Sequence, residues 1–308
     1  MISLPGSENG GPRLLTQSNI IELAPPRRRS VSQLTSYTQC GEAYRLSRVA
    51  RAPERPTAWS IHGSAFHQGI EEWELSDRQL SVEAVKDVAW QYYDTHIAEA
   101  LEANPDYSVW LTGGNKKGET DIADRRVVVG EQIDLYINYA EAHSDEWRIW
   151  NVGPKGKACE LEFTVEFGGV QVLGYIDQIR EYRDGRIVPV DLKTGSKEPG
   201  SSVQLGVYAR AVESIMGILP QSGAFFFPRK KRDGTLKGDV WHDLSVWTPE
   251  LLAEEFASFD YAERSQIYNA NPSDFCRVCS QQDNCKIKGI PGVKEQYLGI
   301  TKRADTNP

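Results

Sequence analysis

Long apolar runs are missing from the 308 residues: none approaches the roughly 18 that a membrane helix needs. The opening stretch, MISLPGSENGGPRLL, has neither the charged start nor the apolar centre of a secretory signal. Both absences point to a cytoplasmic chain that avoids membranes. Cysteine is scarce, with five residues, and an odd number without an export signal argues against a disulfide framework. Positive charge is not in excess: 35 Lys and Arg face 43 Asp and Glu, for a net charge of −8. That argues against a surface that is basic all over, but it allows a local basic groove. Internal repeats and low-complexity tracts are also lacking, which excludes repeat and collagen-like architectures.

What is present is a globular composition, 40% apolar and 25% charged, with length for one large or two ordinary domains. Residues 1–29 are rich in Gly, Pro and Ser, end in Arg27-Arg28-Arg29, and read as a mobile arm. Order is expected from Ser30, with Ser30 or Ser32 as N-cap and Gly41 as a break between two helices. Helical periodicity marks 61–75, 81–103 and 130–143, with a loop over 104–120. From 158 the character turns to β: 158–167, 169–182 and 186–194 alternate between turn signals. A helix over 200–217 follows, then a hairpin with Asp233-Gly234 at its turn, then a helix capped by Thr248. The predicted fold class is α/β (α+β), with one central mixed sheet flanked by helices. Its regions are the arm 1–29, a helical part 30–157, a sheet and crossover helix 158–247, and a C-terminal helix with a cysteine segment 248–308.

The most informative stretch is GYIDQIREYRDGRIVPVDLKTG, residues 174–195. Asp191 and Lys193 are two apart, so in a strand they share a face. An Asp at the end of the apolar run Ile187, Val188, Val190 and Leu192 is costly unless it is paired or holds a cation. A two-residue loop, Asp184-Gly185, would set Asp177 across from Leu192. A three-residue loop, Arg183-Asp184-Gly185, with Gly185 left-handed, sets it across from Asp191. The three-residue loop is the expectation, with the two Cβ atoms roughly 5 Å apart. Like charges that close need a bridging cation, and a hard ion with oxygen ligands such as Mg²⁺ or Mn²⁺ suits them. Lys193 beside them can hold an attacking water or stabilise charge on a transferring phosphoryl group. On its own, D-x-K is also what an ordinary surface hairpin shows.

Neighbouring residues extend the pattern. Gln204 and Tyr208 have i, i+4 spacing on the following helix, and Gly63 and His67 have it upstream. His67 is a candidate metal ligand. Glu160 begins the strand before the hairpin, with Glu162 and Glu166 as competitors by alternation. Cys276, Cys279 and Cys285 form C-x2-C-x5-C, and Cys40 lies far upstream. Four thiolates can hold zinc or an iron–sulfur cluster. Cys159 is left over and reads as a buried small hydrophobe.

In chain order these stretches resemble the PD-(D/E)xK nuclease superfamily, in its RecB-like exonuclease branch with an iron–sulfur cluster. AddB and the four-cysteine CRISPR-associated exonucleases belong to that branch. SVSQLTSYTQC matches the opening helix and first cysteine, and GSAFH places His67 at the metal-binding histidine. ELEF places Glu160 at the early acidic position. GYIDQI and DLKTG place Asp177, Asp191 and Lys193 at the metal aspartates and the catalytic lysine. QLGVY places Gln204 and Tyr208 on the Q-x3-Y helix. C-x2-C-x5-C closes the pattern. One departure is Gly41, where family members commonly have Pro.

The resemblance implies a restriction-endonuclease-like core and a 4Fe-4S cluster on Cys40, Cys276, Cys279 and Cys285 in preference to zinc. It also implies Mg²⁺ or Mn²⁺ on His67, Glu160, Asp177 and Asp191. The implied activity is that of a DNA exonuclease acting on DNA with a free end. It needs no ATP, since no GxxxxGK(S/T) phosphate loop is present. Such an enzyme would serve repair and recombination, phage DNA metabolism or CRISPR adaptation. The alternative is a nucleic-acid-binding or scaffolding protein of nuclease-like fold with little turnover. Arg229-Lys230-Lys231-Arg232 is the densest internal basic cluster and a candidate phosphate track.

Overall fold

A computed structural model describes residues 27–153 and 156–287 of the chain. Order begins where the cap chemistry places it. The Ser30 hydroxyl accepts the Gln33 N–H (3.3 Å) and the Gln33 side chain accepts the Ser30 N–H (3.0 Å), a reciprocal capping box that starts α1, Val31–Gln39. Extended backbone at Cys40 ends it, and α2, Gly41–Tyr44, runs on into a π-turn, Arg45–Val49. Three longer helices follow: α3, Ala58–Leu75; α4, Val82–Ala103, capped by Ser81; and α5, Gly118–Ala142.

Among the described residues six strands make one mixed sheet. They are β1, Trp147–Ile149; β2, Cys159–Phe167; β3, Val170–Tyr182; β4, Ile187–Leu192; β5, Ser222–Lys230; and β6, Leu236–Asp243. The order is β1-β3-β4-β5-β6, with β2 also paired to the long β3. Among the described strands only β4 and β5 pair in parallel, and the crossover between them is α6, Val203–Met216. α7, Pro249–Arg264, follows the sheet with Thr248 as its N-cap.

The core is continuous from helices to sheet. Phe66, Ile70 and Trp73 of α3 pack with Val85 and Ala89 of α4 and with Ile133 and Tyr136 of α5. The Tyr136 ring meets Phe226 of β5 at 5.3 Å, so α5 covers that face. α6 lies on the other face, where Tyr208 reaches Asp191. Each fully buried aliphatic or aromatic side chain contributes about 1.5–3 kcal/mol. The predicted class, a central mixed sheet flanked by helices, is therefore what the chain adopts. Among the described residues no helix is long and apolar enough to cross a membrane.

Three expectations are corrected. α5 starts at Gly118, inside the stretch read as loop and well before 130. Its first half, GETDIADRRVVV, has no clean apolar period and is held by Arg125–Asp121 and by Arg126 to Asp94 of α4. β1 was not anticipated; three residues are too short to show a period, and it falls within 30–157. Arg29 is not part of a solvated arm. It is 3% exposed and ion-paired to Asp260 and Glu263 of α7, and it forms a bridge to Val172 of β3. Its two acidic partners lie over 200 positions away, beyond any local pattern. The rest of the arm, residues 1–26, and the end of the cysteine segment, 288–308, lie outside the described residues.

Candidate active site

The hairpin between β3 and β4 sets the geometry. Gln178 pairs with Val190 and Glu181 with Ile187. Tyr182 N–H donates to Arg186 O (2.9 Å), leaving Arg183, Asp184 and Gly185 as the loop. Gly185 is left-handed at φ +84°, as this loop type requires. Pairing ends at Gln178 with Val190, and the same register carried one step further sets Asp177 level with Asp191, so the three-residue reading holds. The β2–β3 ladder adds a third acid. Cys159 pairs with Gln178 and Leu161 with Ile176, so the position between them sets Glu160 beside Asp177. Glu160, Asp177 and Asp191 thus form one row across three adjacent strands.

Glu160 takes a left-handed backbone, φ +45°, unusual for a residue with a side chain and costing about 1–3 kcal/mol. Its carboxylate lies 3.2 Å from His67 Nδ1, and Asp177 Oδ2 lies 3.6 Å from the same nitrogen. The candidate ligand atoms of His67, Glu160 and Asp177 all fall within 4.8 Å of one another. Glu162 instead accepts from Tyr175 OH (3.0 Å), and Glu166 is exposed beside α6 and α7. The structure therefore separates Glu160 from its two competitors.

The cluster crowds three carboxyls around one imidazole and one ammonium. Burial and then the Asp191 charge push the Asp177 carboxyl up to about 8. Burial alone would lower His67, but Asp177 and Glu160 outweigh it and raise it to about 9. Asp191 is 1% exposed. Its Oδ2 has no hydrogen bond of sound geometry, although Lys193 Nζ stands 2.5 Å away. A closed ring of four side chains surrounds that contact. Lys193 Nζ donates to Gln204 Oε1 (3.1 Å), Gln204 Nε2 to Tyr208 OH (2.9 Å), and Tyr208 OH to Asp191 Oδ1 (3.4 Å). Burial, with Asp177 and Asp191 nearby, keeps Tyr208 a phenol and so a donor. Acidic oxygens and one imidazole make the donor set of a divalent ion, and the crowding of three carboxyls there fits one, with the Lys193 ammonium beside it rather than among its ligands.

A family model for the PD-(D/E)XK nuclease superfamily matches residues 28–286. The chain belongs to that superfamily. Nuclease chemistry on nucleic acid is what membership implies. The Gene 69 protein of Mycobacterium phage D29 is 35% identical over 266 residues, covering 84% of this chain and 96% of that protein. The Gene 69 protein of Mycobacterium phage L5 is 31% identical over 284 residues, with the same coverage. Among solved structures, the crystal structure of SSO0001 covers 83% of this chain at 14% identity, with a TM-score of 0.32.

This PD-(D/E)XK nuclease carries site groups that residue patterns did not reveal. The Leu192 carbonyl accepts from or faces His67 Nε2 at 3.1 Å, while the Leu192 N–H donates to Asp177 Oδ2 (2.7 Å). Backbone atoms leave no side-chain signal, although position 192 lies inside DLK. Glu71, one turn beyond His67, is half-buried and raised by burial and by Glu160. His62 and Gln132 bond at 2.7 Å, and Gln132 Nε2 donates to Thr194 O (3.0 Å), which fixes the backbone just past Lys193.

The four cysteines read as a cluster lie within electrostatic reach of one another where the C-terminal segment meets the end of α1. The Cys279 thiol is raised to about 11 by burial and then by Cys40, Cys276 and Cys285, which are its neighbours. Backbone N–H groups of Asn271 and Ser273 point at Cys40 Sγ (3.4 Å) and Cys276 Sγ (3.5 Å). Gly41 has a local reason: a Cβ there would lie 2.9 Å from the Asn269 backbone. Cys159 is buried in the sheet, as read. The basic cluster lies where β5 gives way to the turn. Lys230, Lys231 and Arg232 are exposed, and Gly234 is left-handed at φ +86°.

Proposed function

We propose that the chain is a metal-dependent DNA exonuclease, independent of ATP, that hydrolyses phosphodiester bonds from a free end. The observation that carries this reading is the acid row Glu160, Asp177 and Asp191, with His67 on one side and Lys193 on the other. His67, Glu160, Asp177, Asp191 and the Leu192 carbonyl would hold Mg²⁺ or Mn²⁺. The bound ion would supply a polarised phosphorus centre and a water of lowered pKa. Lys193, positioned by Asp191 and Gln204, places its ammonium against the charge that develops on the phosphoryl oxygens. Tyr208 fixes the Asp191 carboxylate by donating to Oδ1, and Gln204 links Tyr208 to Lys193.

Cys40, Cys276, Cys279 and Cys285 would hold a 4Fe-4S cluster, which suits a reducing, cytoplasmic setting. Three thiols within electrostatic reach of the buried Cys279 support this. The phage relatives suit a role in phage DNA metabolism.

The test is degradation of 5′- and 3′-labelled linear DNA, beside a closed circle, with Mg²⁺ or Mn²⁺ and without ATP. Progressive loss of the linear strands alone is the expected result. Activity that survives Lys193→Ala would overturn the catalytic assignment. DNA binding without cleavage across several metals would favour the scaffolding alternative. Iron and sulfide analysis of anaerobically purified protein decides the cluster; zinc without iron would exclude it.

A further inference from the structure

Resting on the nuclease reading above, we propose that Arg229 is a phosphate-binding residue that grips the nucleic-acid strand beside the reaction centre. Among the described arginines that are not fully exposed, every other one has a carboxylate partner. Arg29 has Asp260, Arg45 has Glu42, Arg55 has Asp283, Arg78 has Glu74, Arg125 has Asp121, Arg180 has Asp239, Arg210 has Glu213 and Arg264 has Asp260. Arg229 is half-buried with no ion pair among the described residues. A partly desolvated guanidinium is costly without an anion. Its planar fork matches phosphate oxygens.

The sheet explains why that anion would be the substrate. β4 and β5 run parallel, with Asp191 level with Phe225 and Leu192 with Phe226, and Lys193 N–H donates to Phe226 O (2.8 Å). β4 stops at the catalytic level, but β5 continues. Arg229 is three residues past Phe226, about 10 Å further along the same direction. A register shift between Phe227 and Lys230 re-aims the strand at this point. Arg229 then lies within electrostatic reach of His62 on α3, the helix that delivers His67. His62 bonds Gln132, and Gln132 holds Thr194 O, so Arg229 lies on the α3 side of the chain just past Lys193, next to the turn that carries exposed Lys230, Lys231 and Arg232. A strand whose scissile phosphate sits at Lys193 has a neighbouring phosphate within reach of it.

The experiment is fluorescence anisotropy with a labelled single-stranded oligonucleotide in EDTA, so that nothing is cut, over a salt series. Arg229→Gln is expected to weaken binding several-fold, irrespective of sequence, and to reduce the slope of log K against log salt by about one. Its thermal midpoint should match the unaltered chain. Arg229→Lys keeps the charge without the fork, so it should restore the slope but only part of the affinity. Affinity and slope unchanged in Arg229→Gln would overturn the proposal and leave the nuclease reading standing. If Arg229→Gln lowers the thermal midpoint, Arg229→Lys decides alone, and affinity equal to that of the unaltered chain then overturns it. An unaltered chain that binds no DNA would overturn both.

Discussion

Asp191 carries much of the tension in this site: it is buried, faces a second carboxyl across the ladder, and touches one ammonium. Asp191→Asn and Lys193→Ala should each lower the cleavage rate by about 10²–10³-fold, measured on end-labelled DNA. Asp191→Asn removes half of a like-charge pair, so without metal its thermal midpoint should equal or exceed that of the unaltered chain. A drop in midpoint would mean that the Asp191–Lys193 contact is structural first. The same tension sets a pH dependence. Asp177 and His67 are both raised, to about 8 and about 9, so near pH 7 the metal-free pair holds protons that metal must displace. Calorimetric titration with Mn²⁺ in two buffers of different ionisation enthalpy should show net proton release, with apparent affinity rising from pH 7 to 9. In the sign of the linkage, groups whose folded pKa is raised stabilise at low pH and lose that contribution as pH climbs through the folded value. The metal-free protein should therefore lose thermal stability between pH 7 and 9, and added Mn²⁺ should reduce the loss. Identical heats in the two buffers would contradict the shared-proton picture.

At the scale of elements, the junction between α1 and the C-terminal segment depends on close backbone approach. Glu42 N–H donates to Asn269 O (3.3 Å), Asn271 Nδ2 to Gln39 O (3.1 Å), and Asn284 Nδ2 to Pro53 O (2.7 Å). Gly41→Ala pushes a methyl group into that approach and should cost about 1–3 kcal/mol. Limited proteolysis should then cut beyond residue 264 sooner than in the unaltered chain, and an unchanged cleavage pattern would show that the interface yields. Elements also show how far the sequence could be read. Hairpin, crossover helix and caps were legible because turn chemistry and alternation are local, and the loop Arg183–Gly185 determined the register. The start of α5 was not, because Arg125 and Arg126 sit where a core-facing pattern would be apolar, and their partners are on other turns or on α4. Glu160 could not be separated from Glu162 and Glu166 by alternation; a left-handed φ that no residue type announces distinguishes it.

Across the whole molecule, a buried ionic knot ties the start of the described chain to α7. Arg29 binds Asp260 (2.6 Å) and Glu263 (2.6 Å) and lies over the Phe259 ring, while the Tyr44 hydroxyl also meets Glu263. Removing one partner of a buried pair typically costs 3–5 kcal/mol, so Arg29→Met should lower the thermal midpoint by several degrees. A midpoint within a degree of the unaltered chain would show the knot to be dispensable. The active site depends little on such distant ties. Its three acids and its lysine all fall between residues 159 and 193, in one meander of consecutive strands. The His67 imidazole arrives from α3, and Gln204 and Tyr208 from α6. Genetic exchange with breakpoints outside residues 67–208 would pass that set of side chains on intact, while the basic turn and the thiol-bearing tail beyond it could be replaced separately.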